Sequence, residues 1–123
     1  MSGLLVLAVA GGGGLGAALR FLLDGLINAR RQFRLPVVTL TINISGSLIL
    51  GLIAGAAAHL GVTSVAILGS GVMGGYTTFS TASFETVRLA RNGRINAAAA
   101  NGLGMLVISV AAATAGITLG RAL

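Results

Sequence analysis

The residues of this chain best suited to chemistry lie in one run, Gly74–Glu85, which reads G-G-Y-T-T-F-S-T-A-S-F-E. Two adjacent glycines, several hydroxyls and a carboxylate stand in the middle of an otherwise apolar segment. In a membrane, backbone gives up regular helix only where protein or a watery cavity takes the place of lipid. The run therefore marks a place where something polar is handled. If the helix unwinds at Gly74–Thr78, it frees carbonyl oxygens near the bilayer midplane, which are suitable ligands for a hard cation such as sodium. Zinc is not expected, because no Cys or His lies near. Phe79 and Phe84 flank the polar run, and an aromatic edge carries positive potential that can favour an anion. Ordinary apolar packing would account for the same rings.

A second constellation lies upstream. Thr39, Asn43 and Ser47 recur every four residues and so share one helix face. Their amide and hydroxyl protons are neutral donors that can replace water around an anion without the grip of a fixed charge. Hydrogen bonding between helices explains the same spacing equally well. The only two acids are Asp24 and Glu85. Asp24 follows Arg20 by four residues, so the two can pair, or Arg20 can reach back to the interface. An ionisable side chain inside a membrane, such as Glu85, is a functional candidate. His59, near a helix end, fits an interfacial position.

Four apolar runs must position these groups: about 4–27, 37–60, 62–89 and 95–119. The chain has 123 residues, 55% hydrophobic and 8% charged, with a mean hydropathy of +1.00. A soluble domain carries about 25% charged residues. Each run is long enough to cross a bilayer, which takes about 20 residues. The third is too long for one straight crossing, so a break inside it is expected. The whole chain reads as a single four-helix transmembrane domain. There is no cysteine, hence no disulfide framework. The first run lacks the basic start and cleavage site of a signal peptide. Small residues stand four apart at Gly12/Gly16, Gly51/Gly55, Gly71/Gly75 and Gly116/Gly120, a spacing that lets membrane helices approach closely.

All eight basic residues are arginine, and the pI is near 12.0. They lie between apolar runs and form no folded basic face, so nucleic acid is not an expected partner. Six of them, Arg30, Arg31, Arg34, Arg88, Arg91 and Arg94, belong to the first and third linkers or the helix ends beside them, against Arg121 alone on the other side. The positive-inside rule then puts these linkers in the cytoplasm and both termini outside.

Together, G-G-G-x-G-x-x-x-R at Gly12–Arg20, T-x-x-x-N at Thr39–Asn43 and G-G-x-T-T-F-S-T at Gly74–Thr81, followed by Glu85, resemble the CrcB (Fluc) family of bacterial fluoride channels across essentially the whole chain. The third motif is long and specific. The resemblance implies an all-α membrane protein of the bacterial plasma membrane, assembled as an antiparallel dimer with two pores and a central structural sodium ion. It implies a passive, non-enzymatic channel that exports fluoride. Backbone carbonyls of Gly74 and Thr77 would hold sodium. Asn43 and Phe79 would line the fluoride path, Thr39 and Ser109 belong to its polar track, and Arg20 and Glu85 match charged positions beside it.

Two departures stand out. Where the family usually has a second phenylalanine, this chain has Ala82, and Phe84 lies about 200° further round the helix. On the fourth span Ser109 fits the polar track and Met105 does not. A chain that inserts both ways round should have balanced loop charges, and this one does not. The expectation is a fixed orientation with a homologous, oppositely inserted partner subunit, or otherwise a homodimer. Two other readings of four short spans are a small multidrug or cation exporter and a non-transporting assembly subunit. The exporter reading wants a carboxylate embedded in the first span, and only Asp24, near its end, is available.

Overall fold

A computed structural model describes residues 2–30 and 37–123. The expected residues Arg31, Arg34 and Pro36 of the first linker lie outside this set. The chain is all helical. α1 is Gly3–Arg30, α2 is Val37–Gly55, α3 is Ala57–Val65, α4 is Gly74–Tyr76, α5 is Phe79–Arg91 and α6 is Ile95–Arg121. A π-helical segment, Ala66–Met73, joins α3 to α4. Among the described residues, four stretches are long and apolar enough to cross a membrane: Gly3–Ile27, Val37–Gly55, Ala57–Arg91 and Ile95–Arg121.

Helix ends follow local chemistry. Ser2 Oγ accepts from the Leu5 N–H at 3.2 Å, capping α1. The break inside α3 falls at Gly61, whose φ of 85° and ψ of 161° suit only glycine. α5 ends at Asn92-Gly93: Gly93 has φ 78°, and Arg94 N–H returns to the Leu89 carbonyl at 2.9 Å, a glycine-dependent stop that turns the chain into α6.

The third crossing is broken, as the sequence predicts. It widens into the π-helical segment, where Gly74 N–H reaches the Gly69 carbonyl five residues back, tightens for one turn, and opens at Thr77–Thr78. Thr77 (φ −78°, ψ 159°) and Thr78 (φ −146°, ψ 122°) are extended.

The four glycine pairs sort into two seams. Gly12 and Gly16 of α1 meet the third crossing, where a Cβ on Gly16 would strike the Val72 carbonyl and one on Gly75 the Gly13 carbonyl. Gly51 and Gly55 of α2 meet Gly116 and Gly120 of α6, each glycine opposite a carbonyl of the other helix. Residue numbers rise together along both seams, so α1 runs parallel to the third crossing and α2 parallel to α6. Parallel α2 and α6 bring Val37 and Ile95 to one end of the bundle. Val38, Ile42, Met73 and Tyr76 form the small core. Large apolar residues elsewhere face outward, among them Leu4, Phe21, Leu103 and Val107. That surface suits lipid, where the packing contacts of small residues hold helices together and burial of oil from water does not.

Candidate functional site

Away from the glycines, α5 packs alongside the N-terminal halves of α2 and α6. The result is a cleft of about 510 Å³ whose wall is largely apolar, with Leu50, Phe79, Ala82, Val87, Met105 and Leu106, and which carries the polar Asn43, Ser47, Thr77, Thr78, Ser83, Thr86, Asn101 and Ser109.

Asn43 is the hinge of this arrangement. Its Oδ1 accepts from the Thr78 N–H at 2.9 Å, and its Nδ2 donates to the Thr78 carbonyl at 2.8 Å. The side-chain amide thus stands in for a helical neighbour at the break. Nδ2 also lies 3.2 Å from Met105 Sδ. Thr78 in turn caps α5: its Oγ1 accepts from the Thr81 N–H at 3.1 Å. Thr77 folds its hydroxyl back onto the Met73 carbonyl at 3.0 Å. Two carbonyls lose their usual donors in this way. In a continued helix Gly74 C=O would take the Thr78 N–H and Thr77 C=O the Thr81 N–H. Both donors are bound to side chains instead.

The predicted residues separate into groups. Asn43, Thr77, Phe79 and Ser109 line the cleft; Thr39, Gly74, Arg20 and Glu85 do not. Thr39 and Glu85 meet each other, Thr39 Oγ1 donating to Glu85 Oε1 at 2.5 Å, one turn beyond Asn43. Arg20 is half-buried on α1. Phe79 is at the cleft, yet its ring is 86% exposed, so its own chain does not enclose it. Ser109 Oγ is buried with no hydrogen-bond partner among the described residues. Ala82 lines the cleft, whereas Phe84 points outward and does not replace the ring expected there. Met105, which does not fit the polar track by residue type, is buried with its sulfur against the Asn43 amide.

Sequence reasoning passed over Asn101 and Thr86. Asn101 is buried and donates to Thr86 Oγ1 at 2.8 Å, which itself donates to the Ala82 carbonyl at 2.8 Å. A signal was available: Asn101, Met105 and Ser109 stand four apart, the same spacing as Thr39, Asn43 and Ser47. Tyr76 was also missed; its hydroxyl is 2.9 Å from Ser45 Oγ, and its ring packs against the space beside Gly46.

The bundle and its cleft are those of a small multi-pass membrane protein whose interior cleft sets a few neutral polar groups in a largely apolar wall. A family model described as "CrcB-like protein, Camphor Resistance (CrcB)" matches residues 7–117, and the chain belongs to that family. It is 48% identical over 122 residues to the "Fluoride-specific ion channel FluC 1" of Leifsonia xyli, covering 98% of this chain and 89% of the relative. It is 50% identical over 111 residues to "Fluoride-specific ion channel FluC 2" of Cutibacterium acnes, covering 88% and 90% respectively. The "Fluoride-specific ion channel FluC" of Paracoccus denitrificans is 42% identical over 118 residues, covering 95% and 94%.

Proposed function

We propose that this chain is a subunit of a fluoride-selective channel that lets fluoride leave the bacterial cytoplasm passively. Transport is conduction, with no bond made or broken. The observation that carries this reading is the Ser109 hydroxyl, buried without a partner among the described residues in a largely apolar cleft that bears a few neutral polar groups. A conducting site must bind well enough to strip water and weakly enough to release. Hydroxyl protons meet that need for a small, strongly hydrogen-bonding anion; a buried arginine on the path would trap it. The proposed path runs along the cleft past Asn43 and Ser109, with Phe79 at its edge. The Thr39–Glu85 pair and Arg20 flank it.

The assembly is an antiparallel dimer with two pores. The exposed Phe79 ring suits a cleft completed by a second subunit. Sodium is the structural ion, held by the backbone carbonyls of Gly74 and Thr77. The diverted Thr78 and Thr81 N–H groups support this, because hard cations take oxygen ligands and these carbonyls are relieved of helical duty. When bound, the ion supplies positive charge that ties the broken crossings together.

The arginine-rich linkers are assigned to the cytoplasm and both termini to the outside. With loop charge so one-sided, and Ala82 in place of a second ring, the partner is a homologous subunit of opposite insertion. Purified chain in liposomes, followed with a fluoride electrode, tests this. Little flux from the chain alone and restored flux with the partner are expected. Robust flux from the single chain, or recovery of both orientations in equal amounts, would refute the mixed dimer. Absence of fluoride flux from the complete assembly would refute the channel.

A further inference from the structure

We infer that Asn43 is a positioning residue for the cation site: its amide holds the third crossing open at Thr78 and so keeps the Gly74 carbonyl free. The inference rests on the proposed sodium site and assigns a side chain to its construction. A continued helix would return the Thr78 N–H to Gly74 C=O. Asn43 Oδ1 takes that proton at 2.9 Å, and Nδ2 satisfies the Thr78 carbonyl at 2.8 Å. Both bonds are buried, where an unpaired backbone group has no water to turn to. Without these partners the break would close toward helix, and Gly74 would recover its donor.

The amide has little left for anything else. Its nitrogen is shared between the Thr78 carbonyl and Met105 Sδ, 3.2 Å away. Both N–H groups are therefore engaged within the protein. Ser109 differs, for its hydroxyl has no partner. Two polar residues of one cleft thus divide the work: Ser109 offers a donor to what passes, and Asn43 fixes the backbone. Gly74 does not line the cleft, so Asn43 reaches from the fluoride path to the cation site.

The test is sodium-dependent thermal stability of the purified protein, comparing sodium chloride with N-methylglucamine chloride at equal ionic strength. In wild type, sodium should raise Tm. Asn43→Ala should need about tenfold more sodium for the same rise, the effect of losing a hydrogen bond that holds the site in shape. Ser109→Ala should keep the wild-type sodium dependence. An unchanged sodium midpoint in Asn43→Ala would overturn the positioning role and leave the sodium site standing. No sodium effect in wild type would remove the site itself, and the inference with it. If Asn43→Ala cannot be recovered folded, amide hydrogen exchange in wild type decides. Thr78 should exchange about tenfold more slowly than Phe79 and Ser80, first-turn amides without helical acceptors; equal rates would overturn the proposal.

Discussion

Helices α2 and α6 run side by side through two different worlds. Toward their C-terminal ends they are pressed together, Gly51 and Gly55 against Gly116 and Gly120, close enough that a single Cβ would strike backbone. Toward their N-terminal ends the same helices line a cleft with Asn43, Ser47, Asn101, Met105 and Ser109, and α5 closes the side. What changes is residue type on one continuous face. Glycine lets the backbones touch, and contact of that kind holds helices together in lipid. Amides, a thioether and hydroxyls are bulkier than glycine and need partners of their own. The dry seam fixes the register at one end, which allows a polar cleft of defined width at the other.

Breaking the seam should have the largest effect. Gly51→Val places a Cβ against the Ala113 carbonyl, with Gly116 Cα at 3.0 Å. Both are backbone, so relief requires the helices to separate. The cost should lie at the upper end of about 1–3 kcal/mol or beyond it. The check is recovery of monodisperse protein by size-exclusion chromatography, which should fall sharply.

At the open end, Thr39→Val removes the hydroxyl that Glu85 accepts and leaves the carboxylate short of a partner. Stability should fall by about 2 kcal/mol, read as a lower Tm. Ser109→Ala should reverse the usual pattern. It deletes a buried hydroxyl that lacks a protein partner, so Tm should hold or rise. Fluoride flux through the assembled channel should nevertheless drop about tenfold, the worth of one hydrogen bond to a charged ligand. Unchanged flux would detach Ser109 from the path. The smallest effect belongs to Met105→Leu, a volume-conserving change costing less than about 1.5 kcal/mol. It removes only the sulfur beside Asn43 and should shift Tm slightly.

Much of this was legible in the chain. Long apolar runs predict four membrane helices, because length and hydropathy are local properties. Gly74–Thr78 announces the broken crossing, because glycines and hydroxyls there cannot be meant for lipid. The faces of Thr39, Asn43 and Ser47, and the glycine pairs, follow from helical period alone. The track on α6 was half-read: Ser109 was recognised, Asn101 was passed over, and Met105 disguised the pattern because a thioether does not look polar.

By itself, the sequence determined the class of molecule, the four helices, the place of the break and the stock of neutral donors. Only the tertiary structure decided who meets whom. It set α1 against the third crossing and α2 against α6. It joined Thr39 to Glu85 across 46 positions, and Asn43 to Thr78 across 35. Among the described residues it also left Ser109 Oγ without a partner. Helix and hydropathy arise from neighbours in the chain, and composition reports them. Pairing between distant residues depends on the register of packed helices, which here is fixed by glycine contacts between backbones far apart in sequence.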